Sequence, residues 1–276
     1  MTFNPDLVSQ LNREYAGKRT VATPPGLAKD ARADRARREA ERLDKLVGLR
    51  GHTILEIGCG EGDLSFELAQ NYDAKVTGID VRDLESWKNL SHPNLTLVKH
   101  DLTTEELRLP ENGFARIISR AVWEHIRHPF TALRRCQLLL HPTGKKYLYA
   151  NLYRSSIASH LYREIYFPWP HLLFSPETLA SWLKKPQIGS AFWVNKLTYA
   201  QYLQYFRRLG FYITHEHFSK RAMDENFYKR FEGRLGLYPR FDLELDFFEV
   251  VLEFDPTTPK LPVPDLLYRL SRGVAS

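Results

Sequence analysis

The segment Ile54-Leu55-Glu56-Ile57-Gly58-Cys59-Gly60-Glu61-Gly62-Asp63-Leu64 constrains this chain more than any other. An apolar run of strand length passes directly into three alternate glycines and then into a helix-compatible stretch. Glycine has no Cβ, so the loop can take dihedrals closed to other residues and a ligand can approach its backbone. A ligand is therefore expected above Gly58 to Gly62. The dinucleotide fingerprint G-x-G-x-x-G would need glycine where Asp63 stands, and an anion there is a poor neighbour for a pyrophosphate.

Beyond this loop, short apolar runs alternate with helical stretches. Strands are expected near Thr53–Gly58, Lys75–Asp80, Asn94–Lys99, Ala115–Ser119 and Lys145–Asn151, with helices over Asp63–Gln70 and Pro129–Leu140. Such alternation predicts an α/β fold with a parallel sheet covered on both faces. A helix Thr198–Leu209 and strands Phe211–Phe218 and Leu245–Phe254 complete it. Between Leu152 and Lys196 the alternation lapses into a segment rich in aromatics and proline, expected to be a lid or substrate-binding insertion. The predicted organisation is an N-terminal helical extension over residues 1–50 and one domain over 51–276 that carries the insertion 152–196.

Composition excludes several classes. Hydrophobic residues make up 43% and charged residues 26%, as in ordinary globular domains. No apolar run approaches the roughly 18 residues needed to cross a bilayer, and Met1 to Gln10 lacks the continuous apolar stretch of a signal peptide, so a cytoplasmic location is expected. Cys59 and Cys136 are the only cysteines, far apart and outside any metal-ligand spacing. The net charge of +6 is spread thinly except over Lys29 to Lys45. There Ala33, Ala36, Ala40, Leu43 and Val47 form the stripe of an amphipathic helix over Ala28–Val47, with Arg35–Glu39 and Glu41–Lys45 as i,i+4 pairs. This helix is expected to pack beside the first strand; the rival reading is a basic arm for a polyanion. Upstream, Pro24-Pro25-Gly26 marks a turn.

Two acids follow the glycine loop. Asp80 ends the second expected strand, where a carboxylate can accept from both hydroxyls of a ribose. Asp101 follows the third, one strand further along the same rim, and could accept from an adenine amino group.

With these residues in place, the sequence resembles the class I S-adenosylmethionine-dependent methyltransferases over roughly Thr53 to Asn151. The resemblance rests on E-x-G-x-G-x-G at Glu56 to Gly62, the acids Asp80 and Asp101, Trp123-Glu124-His125-Ile126 after the fourth strand, and the turn Leu139 to Gly144. It implies a Rossmann-like, mostly parallel sheet with an antiparallel last strand, and S-adenosylmethionine as cofactor. Gly58, Cys59, Gly60 and Gly62 would line it, Asp80 with Val81 would hold the ribose, and Asp101 with Leu102 the adenine. The backbone of Ser119 and Arg120 would meet its amino-acid end. Glu56 would hold the glycine turn or the methionine amino group. Arg120 stands where a small or polar residue is usual, so it is a candidate for reaching an anionic substrate. Ubiquinone-type relatives carry a further Glu before the Glu-His pair that helps bind a metal; here that position is Ala121, and no metal is expected.

Methyl transfer from a sulfonium depends first on alignment, and an oxygen acceptor gains further from a general base. The candidates are His125, His160 and His171. His171 lies in Phe167-Pro168-Trp169-Pro170-His171-Leu172-Leu173-Phe174, which resembles a run found in bacterial methyltransferases of surface-glycan and natural-product pathways. His215 and His217 flank Glu216 without a third ligand nearby. Tyr147, Tyr149, Tyr153, Tyr162, Tyr166 and Trp169 offer flat faces for a sugar or aromatic acceptor. The expected function is O-methylation of a small-molecule or glycan acceptor, with nucleic acid not expected. An RNA-directed methyltransferase, an NAD-dependent oxidoreductase and a non-catalytic cofactor-binding protein are the alternatives.

Overall fold

A computed structural model describes residues 2–18, 29–104, 109–186 and 195–255. The expected Pro24-Pro25-Gly26 turn and residues 187–194 of the insertion lie outside them. The chain opens with α1 (Pro5–Glu14), whose Asn4 side chain accepts from the amide of Leu7, and α2 (Lys29–Val47). Then follow β1 (Thr53–Ile57), α3 (Asp63–Asn71), β2 (Lys75–Asp80), β3 (Leu95–Lys99), β4 (Phe114–Arg120), α4 (Pro129–Leu139) and β5 (Leu140–Asn151). The insertion contributes α5 (Pro170–Leu173) and α6 (Pro176–Trp182). The rest comprises α7 (Tyr199–Arg208), β6 (Phe211–Lys220), α8 (Glu225–Arg230), α9 (Glu232–Leu235), α10 (Arg240–Glu244) and β7 (Leu245–Phe254).

The strands form one seven-stranded sheet in the order β3-β2-β1-β4-β5-β7-β6. β1 to β5 pair in parallel, and β7 is antiparallel to both its neighbours, as the sequence resemblance implied. The strand order reverses beside β1, so the glycine loop and the end of β4 open at the crevice where open α/β sheets bind ligands. β1 is buried on both faces from Ile54 to Ile57 because helices cover both sides. On one side α2 and α3 bring Ala40, Leu43, Val47 and Leu68 against Ile54, Val76 and Ile118. On the other, α4 and α7 bring Leu133, Cys136, Tyr202 and Phe206 against Leu55, Ile117 and Leu148.

The fifth strand starts earlier than expected, at Leu140, because Phe114 pairs with Leu140 and an irregularity absorbs the Pro142-Thr143-Gly144 turn within the strand. A third core was not foreseen. Leu7, Val8 and Leu11 of α1 pack with Leu161, Ile165, Phe167, Trp169 and Leu179 of the insertion, and with Phe227, Phe231 and Leu235 from the stretch between β6 and β7. Its members come from three separated stretches, so no local pattern marks it.

The ion pairs of α2 also differ from the expected ones. Glu39 pairs with Arg42 at 2.7 Å and with Arg120 at 3.0 Å, in place of Arg35. Arg42 also reaches Glu249 at 2.7 Å and donates to the Tyr147 hydroxyl at 2.6 Å. Arg32 faces Glu61 and Asp63 at 3.6 and 3.8 Å. These cations serve internal partners, which removes much of the charge a basic arm would present.

Candidate active site

The glycine loop is pinned to the second strand by its backbone. The amides of Gly58 and Cys59 both donate to the Ile79 carbonyl, at 2.7 and 3.0 Å, and the Gly60 amide donates to Asp80 Oδ2 at 3.0 Å. From the other side Trp87 Nε1 donates to the Gly60 carbonyl at 2.8 Å. Gly58, Gly60 and Gly62 have φ of 73°, 53° and 85°. At Gly58 the requirement is also steric, since a Cβ would lie 2.2 Å from Val122 Cγ2.

Above this loop lies a cleft of about 640 Å³. Of the residues singled out in the sequence, Gly58, Asp80, Val81, Asp101, Leu102, Arg120 and His125 line it. Glu56, Cys59, Gly60, Gly62, Ser119, His160 and His171 are not among its lining residues. Gly60 turns its amide to Asp80. The missing side chain of Gly62 makes room for Leu90 and Leu97, 2.8 and 3.0 Å from where a Cβ would be. Cys59 is buried, and burial pushes its thiol far up.

The placement of Glu56 corrects its expected role. It is buried, and its Oε2 accepts from the Ser65 hydroxyl of α3 at 2.5 Å, so it ties β1 to the following helix. Burial pushes its carboxyl up to about 7, against the hydrogen bond from Ser65. The Ser119 side chain is likewise internal, accepting from Trp123 Nε1, which leaves only its backbone for a ligand. Arg120 is held by Glu39 and lies 5.5 Å from the Tyr149 ring, so it is braced at the cleft wall and not projecting from it.

Asp80 is almost buried; besides Gly60 it accepts from the Arg82 amide at 3.0 Å and from Arg82 Nε at 3.1 Å. A carboxylate offers about four lone-pair sites, and the Arg82 side chain is exposed enough to swing off. Asp101 accepts from the Thr103 amide and hydroxyl, both at 2.7 Å, and from the Thr104 hydroxyl at 2.8 Å. Burial would raise its carboxyl, but these hydrogen bonds outweigh it and hold the group below the usual carboxylate range. Two acids on adjacent strand tips thus face a cleft whose floor at Gly58 has no side chain. This donor and acceptor set fits an adenosyl ligand, with Asp80 for vicinal hydroxyls and Asp101 for an exocyclic amine. Arg82, Trp87, His100 and Thr103 were missed by sequence reasoning. The signal for Arg82 was its position two residues after the acid.

The histidines separate into two groups. His171 is 5% exposed and its Nε2 donates to the Tyr153 carbonyl at 2.7 Å. Burial pushes its imidazole down to about 4, so it stays neutral and internal and is not placed to act as a base in the cleft. His125 lines the cleft, and its ring lies 5.8 Å from that of His160, which comes from the insertion. Burial and the neighbouring His125 lower the His160 imidazole from its ordinary value. Beneath them Glu124 is 1% exposed, with Oε1 accepting from Asn151 Nδ2. Burial raises its carboxyl, and no hydrogen-bond donor among the described residues reaches its Oε2. Asn195 fixes this turn, its amide donating to the Glu124 carbonyl and its Nδ2 to the Trp123 carbonyl, both at 2.6 Å. His215 and His217 stay apart from this site, on β6.

Residues 54–144 match the family described as "Methyltransferase domain". The ubiquinone biosynthesis O-methyltransferase of Haemophilus ducreyi is 36% identical over 112 residues, covering 38% of this chain and 47% of that protein. Its counterpart in Pseudomonas paraeruginosa is 33% identical over 110 residues, with the same coverage of each. The chain thus spans about half the length of the curated relatives it matches. Among solved structures, an S-adenosylmethionine dependent methyltransferase from Mesorhizobium loti is similar with a TM-score of 0.51 at 19% identity, over 79% of this chain and 97% of that one. The 4+2 cyclase SpnF is similar with a TM-score of 0.52 at 15% identity, over 90% and 93% of the two chains. Both likenesses are of fold. No helix among the described residues is long and apolar enough to cross a membrane.

Proposed function

We propose that this chain is a class I S-adenosylmethionine-dependent methyltransferase that transfers a methyl group from S-adenosylmethionine to an oxygen of a small molecule, a reading supported by the methyltransferase-domain match over residues 54–144. The observation that carries the reading is the single cleft that places Asp80, Asp101 and the bare backbone of Gly58 on one side and His125 on the other. The oxygen-directed relatives support the choice of acceptor atom.

The cofactor, when bound, supplies the methyl group together with its own leaving group. Asp80 would hold the ribose hydroxyls, with Arg82 moving aside, and Asp101 with the backbone of Leu102 would hold the adenine. The glycine loop, braced by Ile79, Asp80 and Trp87, fixes the direction from which the acceptor must approach. Such alignment contributes roughly 7–11 kcal/mol in well-oriented reactions. The acceptor hydroxyl would sit against the His125–His160 pair, where its proton is removed; a base contributes about 10²–10⁴ in rate. The aromatic insertion 152–196 is read as the acceptor side, with a sugar, glycan or natural product as substrate, and residues 1–50 as an extension that completes its core.

The test is twofold. Calorimetric titration should find affinity for S-adenosylhomocysteine and none for NAD. Incubation with methyl-labelled S-adenosylmethionine and hydroxylated acceptors should label at least one of them. Affinity for NAD alone would replace this reading by a dehydrogenase, and cofactor binding with no labelled acceptor would leave a protein that uses the fold for something other than methyl transfer.

A further inference from the structure

We propose that Glu124, His125 and His160 form a binding site for one divalent transition-metal ion at the acceptor rim of the cleft. One potential ligand atom of each residue lies within 4.8 Å of the others. Two imidazoles and one carboxylate make a donor set suited to zinc and its neighbours, and three protein ligands leave a position open, as in catalytic metal sites. The set joins the turn after β4 to the insertion, so neither segment supplies it alone.

The strongest single sign is Glu124. A carboxylate oxygen that is buried and without a donor is costly, and native structures rarely keep one without a purpose. Here Oε1, which lies 4.0 Å from His125 Nε2, accepts from Asn151, and Oε2 of the same carboxylate has no donor among the described residues. Metal-bound carboxylates are held in this way by hydrogen bonds from an outer layer of residues. Asn195 fixes the backbone of the same turn from the other side. His160 adds a second sign: its φ is 55°, in the left-handed region that non-glycine residues rarely adopt. Its ring lies 5.8 Å from that of His125 between centroids. Metal–nitrogen bonds of about 2.1 Å need the donors somewhat closer than they stand. Both imidazoles are on exposed residues and can close by side-chain rotation, while Glu124 stays fixed.

An acidic residue before the Glu-His pair is not required for this site. Ala121 removes one possible ligand, and the insertion supplies a different one. In chemical terms, an ion there would coordinate the acceptor oxygen and lower the pKa of its hydroxyl so that the proton passes to water, a route that in the metal-loaded protein would replace the direct proton removal assigned above to the imidazole pair. This last step rests on the methyl-transfer reading; the binding site itself does not.

The full chain, stripped with a chelator, is titrated with Zn²⁺ by calorimetry and with Co²⁺ by visible absorption. One ion per chain is expected, with Co²⁺ bands of a four- or five-coordinate nitrogen–oxygen site. His160→Asn, a residue that tolerates the left-handed backbone, and Glu124→Gln should each weaken Zn²⁺ by at least about tenfold while S-adenosylhomocysteine affinity is unchanged. Protection of His125 and His160 from imidazole-directed acylation by Zn²⁺ in the unsubstituted protein gives a readout that needs no variant. The proposal is overturned if no Zn²⁺ binds at millimolar concentration, if both variants bind as the original does, or if protection falls on other histidines. Metal binding without any affinity for S-adenosylhomocysteine would sink the functional reading and leave the metal site standing.

Discussion

The carboxylate of Asp80 accepts a hydrogen bond from the Gly60 amide at 3.0 Å, so the acid at the tip of β2 also shapes the loop that follows β1. A single side chain thus shapes the cradle and, in the proposed function, would also hold the ribose. Hydrogen bonds to charged groups contribute about 1.5–3 kcal/mol. Asp80→Ala is therefore expected to weaken S-adenosylhomocysteine by at least about tenfold in a calorimetric titration, and Asp80→Asn by less. Undiminished affinity in Asp80→Ala would remove the assigned ribose site.

Gly58 is subject to two constraints that can be separated. Its φ of 73° strains any other residue, and a Cβ would press on Val122 at 2.2 Å. Gly58→Ala should lose at least about 1–2 kcal/mol in urea denaturation from the dihedral alone, and cofactor affinity with it. Adding Val122→Ala should recover the part due to the clash and leave the remainder. Full recovery in the double variant would show that the dihedral is not strained.

Glu56 gives the protein a pH signature. Its carboxyl titrates near 7 in the folded state against an ordinary 4.5, so the folded state holds its proton more tightly than the unfolded one. Stability from this group is present below pH 4.5 and is lost as the pH rises to about 7. The full span corresponds to about 3 kcal/mol. Glu56→Gln keeps the hydrogen bond geometry without the charge. Denaturation at several pH values should show the original protein losing ground to this variant between pH 5 and about 8; parallel curves would contradict the assignment.

Lys146 lies wholly inside the sheet, 4.6 Å from the centre of the Trp123 ring, with the buried Cys136 thiol beside it and no oxygen acceptor at its Nζ among the described residues. Burial lowers its ammonium from the ordinary range. Such a group contributes stability above its unfolded pKa and loses it as the pH falls, so at neutral pH the folded state is penalised. Lys146→Met should stabilise the protein by at least about 1 kcal/mol, read as a higher urea midpoint with unchanged slope. A lower midpoint would mean that the ammonium has a structural partner in solution.

Much of the scaffold was legible in the chain itself. The glycine loop, the acids at Asp80 and Asp101 and the parallel strands are local patterns, each written within a few consecutive residues, and the fold places Asp80, Asp101 and Gly58 around one cleft as their order implied. Side-chain direction was less legible. Glu56 and Ser119 sit in the same motifs yet point into the protein, because strand pairing and helix packing decide which face a residue takes. The sequence placed His171 level with His125 and ahead of His160, whereas burial in the structure separates His171 from the other two.

The sequence by itself determined the strand–glycine–helix unit and the rim on which the ligand cleft opens, because the glycine loop and the acid on the next strand tip are each written within a few consecutive residues. Only the tertiary structure decided what stands opposite the cleft. His160 meets Glu124 and His125 across a long stretch of chain, and α1, the insertion and α8 to α10 share a core, through contacts whose partners are far apart in sequence. Contacts of that kind are selected by packing and burial once the chain has folded, and they leave no periodic trace in the order of residues.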